Sequence, residues 1–359
     1  MELLVLDANF TAVTVIDSFR SMIWTDRYNS YGDFELYLPV DSSMLYYLQQ
    51  DNYLWTKDSE HCMIIEDITI DSDVEEGNYL KVTGRSLESI LTRRIVWGQT
   101  ILNGSMQDAI QTLLNDAFIS PSNEARKVDN FIFEASTDPA ITELTIDTQY
   151  TGDDLYTVVQ TLCEANRIGF KIVLNDQNQF VFSLYAGADR SYDQIANPYV
   201  IFSPSFENII NSNYYTSNAE LKNVTLVAGE GEGASRRMTS VGDTSGLTRR
   251  EIFTDARDVS SDVDGGTLSS DEYISQLYAR GVEKLAECGI KTAFEGEVDA
   301  TRMFKYGEDF FIGDIVQIAN EYGHEGKVYI SELVLSHDET GYSVYPTFQT
   351  LNEEGEDSL

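Results

Sequence analysis

Apolar and polar residues alternate in short stretches over the first hundred residues of the chain. In Gly32-Asp-Phe-Glu-Leu-Tyr-Leu-Pro39, Phe34, Leu36 and Leu38 fall on one side and Glu35 and Tyr37 on the other. That period of two is the mark of a half-buried strand. Segments 1–7, 11–16, 20–28, 53–57, 61–70 and 78–84 predict further strands between short polar turns. Closely spaced short strands of this kind point to a barrel or sandwich. Near residue 103 the period changes. Ser105-Met-Gln-Asp108 carries a helix-start signal, and Met106, Ile110, Leu113, Leu114 and Ala117 follow on one helical face. A second helix is expected from the Thr151-Gly-Asp-Asp154 cap, with Leu155, Val158, Val159 and Leu162 as its stripe and Gly169 as its stop. Strands at 169–174 and 179–185 complete an α+β block. A third helix runs from Ser269, with Glu272 three residues on, to Gly289. Strands are expected around it at 209–217, 221–229, 248–254, 290–300, 312–319, 326–338 and 341–348.

An internal echo links the two ends of this layout. Ile65-Glu-Asp-Ile-Thr-Ile70 is matched by Ile330-Ser-Glu-Leu-Val-Leu335. Each is followed by an aspartate, Asp73 or Asp338, then an acidic turn ending in Gly77 or Gly341, then a tyrosine-containing strand. A Gly-Asp strand stands upstream of each, at Gly32-Asp33 and Gly313-Asp314, but 33 residues ahead in the first copy and 17 in the second. The repeat predicts two related β domains flanking the α+β middle.

Composition narrows the partners. The 24 Lys and Arg against 60 Asp and Glu leave a formal charge of −36 over 359 residues. A surface of that sign does not grip phosphates through clustered cations, nor an anionic membrane. The 42% hydrophobic content and modest Gly and Pro numbers (24 and 6) place the chain among folded globular proteins rather than disordered ones. Cys62, Cys163 and Cys288 are too few and too scattered for a disulfide framework, which fits synthesis in a reducing cytosol. The N-terminus lacks the pattern of a signal peptide, and no apolar run is long enough for a membrane-spanning helix.

Signals for chemistry weaken on inspection. Gly229-Glu-Gly231-Glu-Gly233 follows a strand, but no helix opens behind it and Glu230 and Glu232 would repel a pyrophosphate. Asp71-Ser-Asp73-Val-Glu75-Glu-Gly77 resembles the start of a calcium loop, yet Glu76 and Val82 stand where glycine and a bidentate glutamate belong. His61 and Cys62 are strand neighbours on opposite faces and share no metal-ligand spacing with His324 or His337. No catalytic residue, cofactor site or metal site is therefore assigned. The doubled arginines Arg93-Arg94, Arg236-Arg237 and Arg249-Arg250 stand out in the acidic background and are candidates for subunit contacts.

Five segments resemble siphophage tail hub proteins. They are Phe19-Arg-Ser-Met-Ile-Trp24-Thr-Asp-Arg27-Tyr28 with Gly32-Asp-Phe-Glu35, and Val82-Thr-Gly84-Arg85-Ser86-Leu87 running on to Arg93-Arg94. Leu221-Lys-Asn-Val-Thr-Leu-Val-Ala-Gly-Glu-Gly, Arg249-Arg-Glu-Ile-Phe253-Thr-Asp255-Ala-Arg257-Asp258 and Ser336-His-Asp-Glu-Thr-Gly-Tyr-Ser-Val-Tyr-Pro-Thr-Phe348 complete the set. The resemblance, which extends to the baseplate hub of contractile tails, implies a β-rich α+β fold with two related antiparallel β-barrel domains and α+β segments between them. It divides the chain into a first barrel over 1–97, an α+β middle over 98–205 and connecting strands, glycine-rich hairpin and helix over 206–289. A second barrel over 290–352, completed by strands from 206–230, and an acidic tail over 353–359 follow. The implied protein is a non-enzymatic homotrimer of the virion tail, adapting a six-fold tube to a three-fold tip around a channel through which DNA passes unbound. Its implied partners are the distal tail or tube ring, the tape-measure protein and tip or fibre proteins, with no cofactor and no membrane insertion. A cell-wall-degrading tail enzyme and a carbohydrate-binding baseplate module are the alternatives.

Overall fold

A computed structural model describes residues 1–73, 77–263, 266–298, 303–320, 322, 325–339 and 341–351. The chain forms two compact units, and each is built from separated segments. The first takes Met1–Ser89, Gly169–Tyr215 and Thr292–Leu351; the second takes Ile90–Ile168 and Thr216–Lys291.

The first unit is organised by a 13-stranded sheet. Its main path runs Ile209–Ser217, Lys291–Val298, Gly341–Thr350, Glu325–Asp338, Ser21–Arg27, Asp33–Pro39, Gly77–Ser86, Cys62–Asp73, Tyr53–Trp55, Leu3–Leu6 and Ala12–Ile16. Off that path, Ile315–Ala319 pairs with Glu325–Asp338 and with Ile201–Phe202. The alternation read from the sequence is borne out in Asp33–Pro39, where Phe34, Leu36 and Leu38 are buried. One core serves both halves of the sheet, bringing Trp24, Phe34, Leu36, Ile65 and Val82 together with Leu333, Leu335 and Phe348.

The expectation of two separate barrels is corrected here: among the described residues no sheet closes on itself, and the two β halves are joined in one sheet. The cause is the length of Glu325–Asp338. Its first half pairs with Ile315–Ala319, and residues 332–338 continue past that neighbour to accept Ser21–Arg27 on the same side.

The second unit holds the long helices. Met106–Leu114 starts where expected, with Ser105 accepting from the Asp108 amide. Ser270–Glu287 is closed by a full capping box between Ser269 and Glu272. The helix Leu155–Ala165 differs from its expected start: Asp154, not Thr151, caps it by accepting from the Thr157 amide, and Gly169 opens the next strand rather than ending the helix. The helix Ser270–Glu287 lies on a sheet of Val224–Ala228 flanked by Met238–Val241 and Glu251–Asp255, with Tyr273 and Leu277 packed on Val227 and Val241. Gly281 makes this approach close, since a Cβ there would lie 2.5 Å from the Val241 side chain and 2.7 Å from that of Val227.

Candidate functional site

The internal echo is a structural repeat, and it is visible at the level of single hydrogen bonds. Cys62–Asp73 and Gly77–Ser86 form one hairpin, Glu325–Asp338 and Gly341–Thr350 the other. Register slips between Ile65 and Asp67 in the first and between Ile330 and Glu332 in the second. Glu66 and Ser331 are thus bulged at the same place, and beyond them both ladders run without interruption to Asp73 opposite Gly77 and Asp338 opposite Gly341. A bulge is a one-residue insertion that bends and twists a strand, so its recurrence gives both hairpins the same local shape. Turn residues 74–76 and 340, with Glu75 and Glu76 of the calcium-like segment, lie outside the described residues.

The strands flanking the hairpins also correspond, but not as the Gly-Asp dipeptides suggested. Phe34 faces Gly84 in the first copy as Phe294 faces Phe348 in the second, so Asp33–Pro39 is the counterpart of Lys291–Val298. Tyr53 faces Ile64 as Ile315 faces Tyr329, so Tyr53–Trp55 is the counterpart of Ile315–Ala319. The residue equivalent to Gly313 is Asp51. Both adopt left-handed backbone, at φ 90° and 63°, and both amides donate to the carbonyl of the residue before the bulge, Ile330 at 2.8 Å and Ile65 at 2.9 Å. Asp314 and Asn52 then accept from the Ile330 and Ile65 amides at 3.0 and 2.9 Å. The unequal Gly-Asp spacing in the sequence came from comparing two different strands.

Behind the first hairpin sits a buried polar network. His61 Nδ1 lies 3.0 Å from Glu88 Oε1, which also accepts from the Ile172 amide at 2.8 Å. The Ser59 hydroxyl accepts from the His61 amide and donates to Asp26 at 2.7 Å, and Asp26 accepts from the Trp24 indole at 2.9 Å. Burial opposes the charged imidazolium, but Glu88 and Asp26 outweigh it and push His61 up to about 9. Burial also opposes the Glu88 carboxylate, and the His61 charge and hydrogen bonds outweigh it, holding that group below its usual range. Burial dominates at Asp26 and pushes it up. Neutralised ion pairs of this kind are costly to break and position the groups around them. His61 therefore has an acid partner rather than a metal-ligand role with Cys62, and among the described residues no group of His, Cys, Asp and Glu is placed to hold a metal ion. His337 meets the N-terminal amine at 3.0 Å, and His324 lies outside the described residues.

An open cleft of about 620 Å³ borders this network, lined among others by Lys57, Glu60, Lys171, Tyr185, Arg190 and Tyr306. Two of its cations are paired with acids of the same lining. Lys171 reaches Glu60 at 2.7 Å and lies over the Tyr185 ring, while Arg190 donates to Asp314 at 2.6 Å. Asp314 also accepts from the Ala188 and Phe311 amides at 2.7 and 3.0 Å. Pairs of this sort order the loops that carry them.

The six arginines singled out in the sequence all lie in the second unit, and most of their donors are used there. Arg94 donates to the carbonyls of Arg93, Ala117 and Arg126 and covers the Phe118 ring. Arg236 donates to the carbonyls of Ala228 and Gly229 and pairs with Asp255 at 2.5 Å. Arg237 stacks 3.7 Å from the Tyr273 ring centroid and pairs with Glu230 at 2.5 Å. The same Glu230 holds Ser261, so the glycine-rich turn is tied down by its acid. Arg249 pairs with Glu251, Arg250 donates to the Asn218 carbonyl, and Arg93 is exposed.

Among the described residues no helix is long and apolar enough to cross a membrane. No curated protein sequence matches the chain. Three solved structures share its fold over nearly their whole lengths. A 43 kDa tail protein of prophage MuSo2 from Shewanella oneidensis is 11% identical with a TM-score of 0.59, covering 97% of this chain and 98% of that one. The prophage tail protein gp18 from Listeria monocytogenes is 11% identical with a TM-score of 0.55, covering 99% and 96%. A tail protein from Neisseria meningitidis is 12% identical with a TM-score of 0.55, covering 97% and 96%. The siphovirus ReqiPepy6 Gp37-like family matches residues 2–348, so nearly the whole sequence carries its pattern. The chain therefore belongs to the siphovirus ReqiPepy6 Gp37-like protein family, and its fold is that of prophage tail proteins.

Proposed function

We propose that this chain is a structural protein of a phage or prophage tail, the hub of the tail tip, and works as a ring of three copies. The observation that carries the reading is the repeat: two hairpins in one chain with the same bulge, the same flanking strands and the same amide contacts. Three copies present six such hairpins. That number meets a six-fold tail tube on one side while the three chains offer three-fold contacts to a tip on the other, and closed symmetry of this kind reuses one interface. The distal tail ring, the tape-measure protein and tip or fibre proteins are the partners such a hub touches.

Charge supports a passive channel. Each copy carries −36, so three carry −108 before screening. A wall of that sign repels phosphates, which lets DNA slide through without being held. The role is mechanical rather than catalytic, in keeping with a cleft in which Lys171 and Arg190 are each paired with an acid. Arg93 and Arg249 are exposed and are the arginines proposed for contacts between copies, whereas Arg94, Arg236, Arg237 and Arg250 are part-buried and engaged inside the second unit. Deleting the gene from its phage tests the reading. Tail tubes lacking a tip, with gold-labelled antibody marking the tip in the wild type, are expected; normal tails without the protein, or a lysis band carried by this chain alone in a cell-wall zymogram, overturn it.

A further inference from the structure

The repeat is complete in its hairpins and incomplete at one edge. In the second half, residues 332–338 accept Ser21–Arg27 antiparallel, from Glu332 opposite Arg27 to Asp338 opposite Ser21. The equivalent residues of the first half are 67–73. The strand Cys62–Asp73 pairs with Tyr53–Trp55 through residues 62–64, and among the described residues no strand continues along that side beyond the bulge. Side chains record the difference. Leu335 is 0% exposed, whereas Ile70, at the same position of its hairpin, is 51% exposed. The bulge carbonyls differ in the same sense: that of Ser331 accepts from the Tyr28 backbone amide at 3.0 Å, while that of Glu66 accepts from the exposed Gln50 side chain at 2.8 Å.

A strand with the matching place exists at the far end of the sheet. Ser21–Arg27 flanks Asp33–Pro39, and the counterpart of Asp33–Pro39 is Lys291–Val298, which is flanked by Ile209–Ser217. Ile209–Ser217 ends the sheet path, and Tyr214 and Tyr215 are exposed on it. We propose that residues 67–73 of one copy pair antiparallel with Ile209–Ser217 of a second copy of this chain, as residues 332–338 pair with Ser21–Arg27 inside each copy.

Charge favours this occupant over the other self-pairing. Residues 67–73 include Asp67, Asp71 and Asp73, so two such edges placed together set acid against acid, which is destabilising across a ladder. Ile209–Ser217 carries no charged residue. The contact joins unlike edges and is therefore heterologous, the type that closes into a ring when the rotation allows. It also removes an open edge, which sheet proteins otherwise have to protect.

This inference rests on the three-copy ring of the proposed function and deepens it, and the test separates the two. Hydrogen exchange on the full-length protein is measured in its free form and in its assembled form, together with mass by light scattering. The expected ring weighs three times 40.4 kDa, or 121.2 kDa, and slows amide exchange in 67–73 and 209–217 by roughly tenfold or more. A ring of that mass whose amides in these two segments exchange as in the free chain overturns the edge pairing alone. A chain that stays at 40.4 kDa at every concentration overturns the ring and the pairing together. Ile70→Lys gives the second readout, because an exposed side chain can be changed without touching the monomer core. It is expected to shift the mass from 121.2 to 40.4 kDa, while Leu226→Lys, at an exposed position of the second unit, leaves the ring whole. An Ile70→Lys protein that remains at 121.2 kDa contradicts the proposal.

Discussion

Arg27 donates through Nε to Glu332 at 2.5 Å, across the seam where Ser21–Arg27 meets Glu325–Asp338 and the two halves of the repeat become one sheet. Its Nη1 also reaches Asp33 at 2.5 Å on the next strand. One guanidinium thus holds three strands, and both acids lose their partner when it is removed. Arg27→Ala is expected to destabilise the first unit by about 2 kcal/mol, and Arg27→Lys by less, because lysine keeps the charge but not the planar fork. Chemical unfolding followed by tryptophan fluorescence, with Trp24 buried beside the seam, measures both.

The buried pair of His61 and Glu88 predicts a pH dependence. His61 is raised from 6.5 to about 9, so its stabilisation is complete below pH 6.5 and is lost as pH rises through about 9. Glu88 is lowered from 4.5, so its contribution is present above pH 4.5 and lost as pH falls. Asp26, raised above 3.8, favours the acidic side, as His61 does. The unfolding midpoint should be highest between about pH 4.5 and 6.5 and decline toward pH 9. His61→Gln should flatten the alkaline decline and cost about 3 kcal/mol near pH 6 by leaving Glu88 buried without its counter-ion. An unchanged alkaline slope in that variant would show that the titration lies elsewhere.

Gly281 sets two effects against each other. Replacing a mid-helix glycine by alanine ordinarily gains up to about 1 kcal/mol. Here the added methyl meets Val241 and Val227 at 2.5 and 2.7 Å, and branched side chains have little room to turn away. The clash wins, and Gly281→Ala should lose about 1 kcal/mol net. Alanine at the exposed helix position Tyr278 serves as the reference in the same thermal melts.

Much of this fold was legible in local pattern, and what was missed is non-local. The two-residue period of Phe34, Leu36 and Leu38 and the Ser269–Glu272 box depend on neighbours in sequence, and both are present as read. The echo of Ile65-Glu-Asp-Ile with Ile330-Ser-Glu-Leu aligned the two hairpins in the register that their shared bulge, unseen in the sequence, also gives. The Gly-Asp dipeptides misled because they report a turn preference, whereas strand equivalence is decided by pairing with residues far along the chain. His61 was read beside its neighbour Cys62, but its partner is Glu88, 27 residues away and brought in by the helix turn after the hairpin. The arginine pairs looked like surface devices; carbonyls and rings of their own unit engage Arg94, Arg236 and Arg237, and doubling in sequence does not reveal that.

The cysteines give a simple check on the core. Burial pushes the Cys62 and Cys163 thiols up and shields them, while Cys288 is half-buried at the end of its helix. A thiol reagent on the native protein should modify Cys288 first, and all 3 cysteines only after unfolding. Rapid native labelling of Cys62 or Cys163, read by peptide mass spectrometry, would contradict the packing described.

Three copies of a duplicated chain forming a tail-tip hub, as proposed, have a symmetry that can be seen directly. Electron cryomicroscopy of the assembled protein should show a ring with three-fold symmetry and six similar lobes around an open centre lined by acidic side chains. A particle without a three-fold axis, or a ring whose central lining is neutral or basic, would contradict the account.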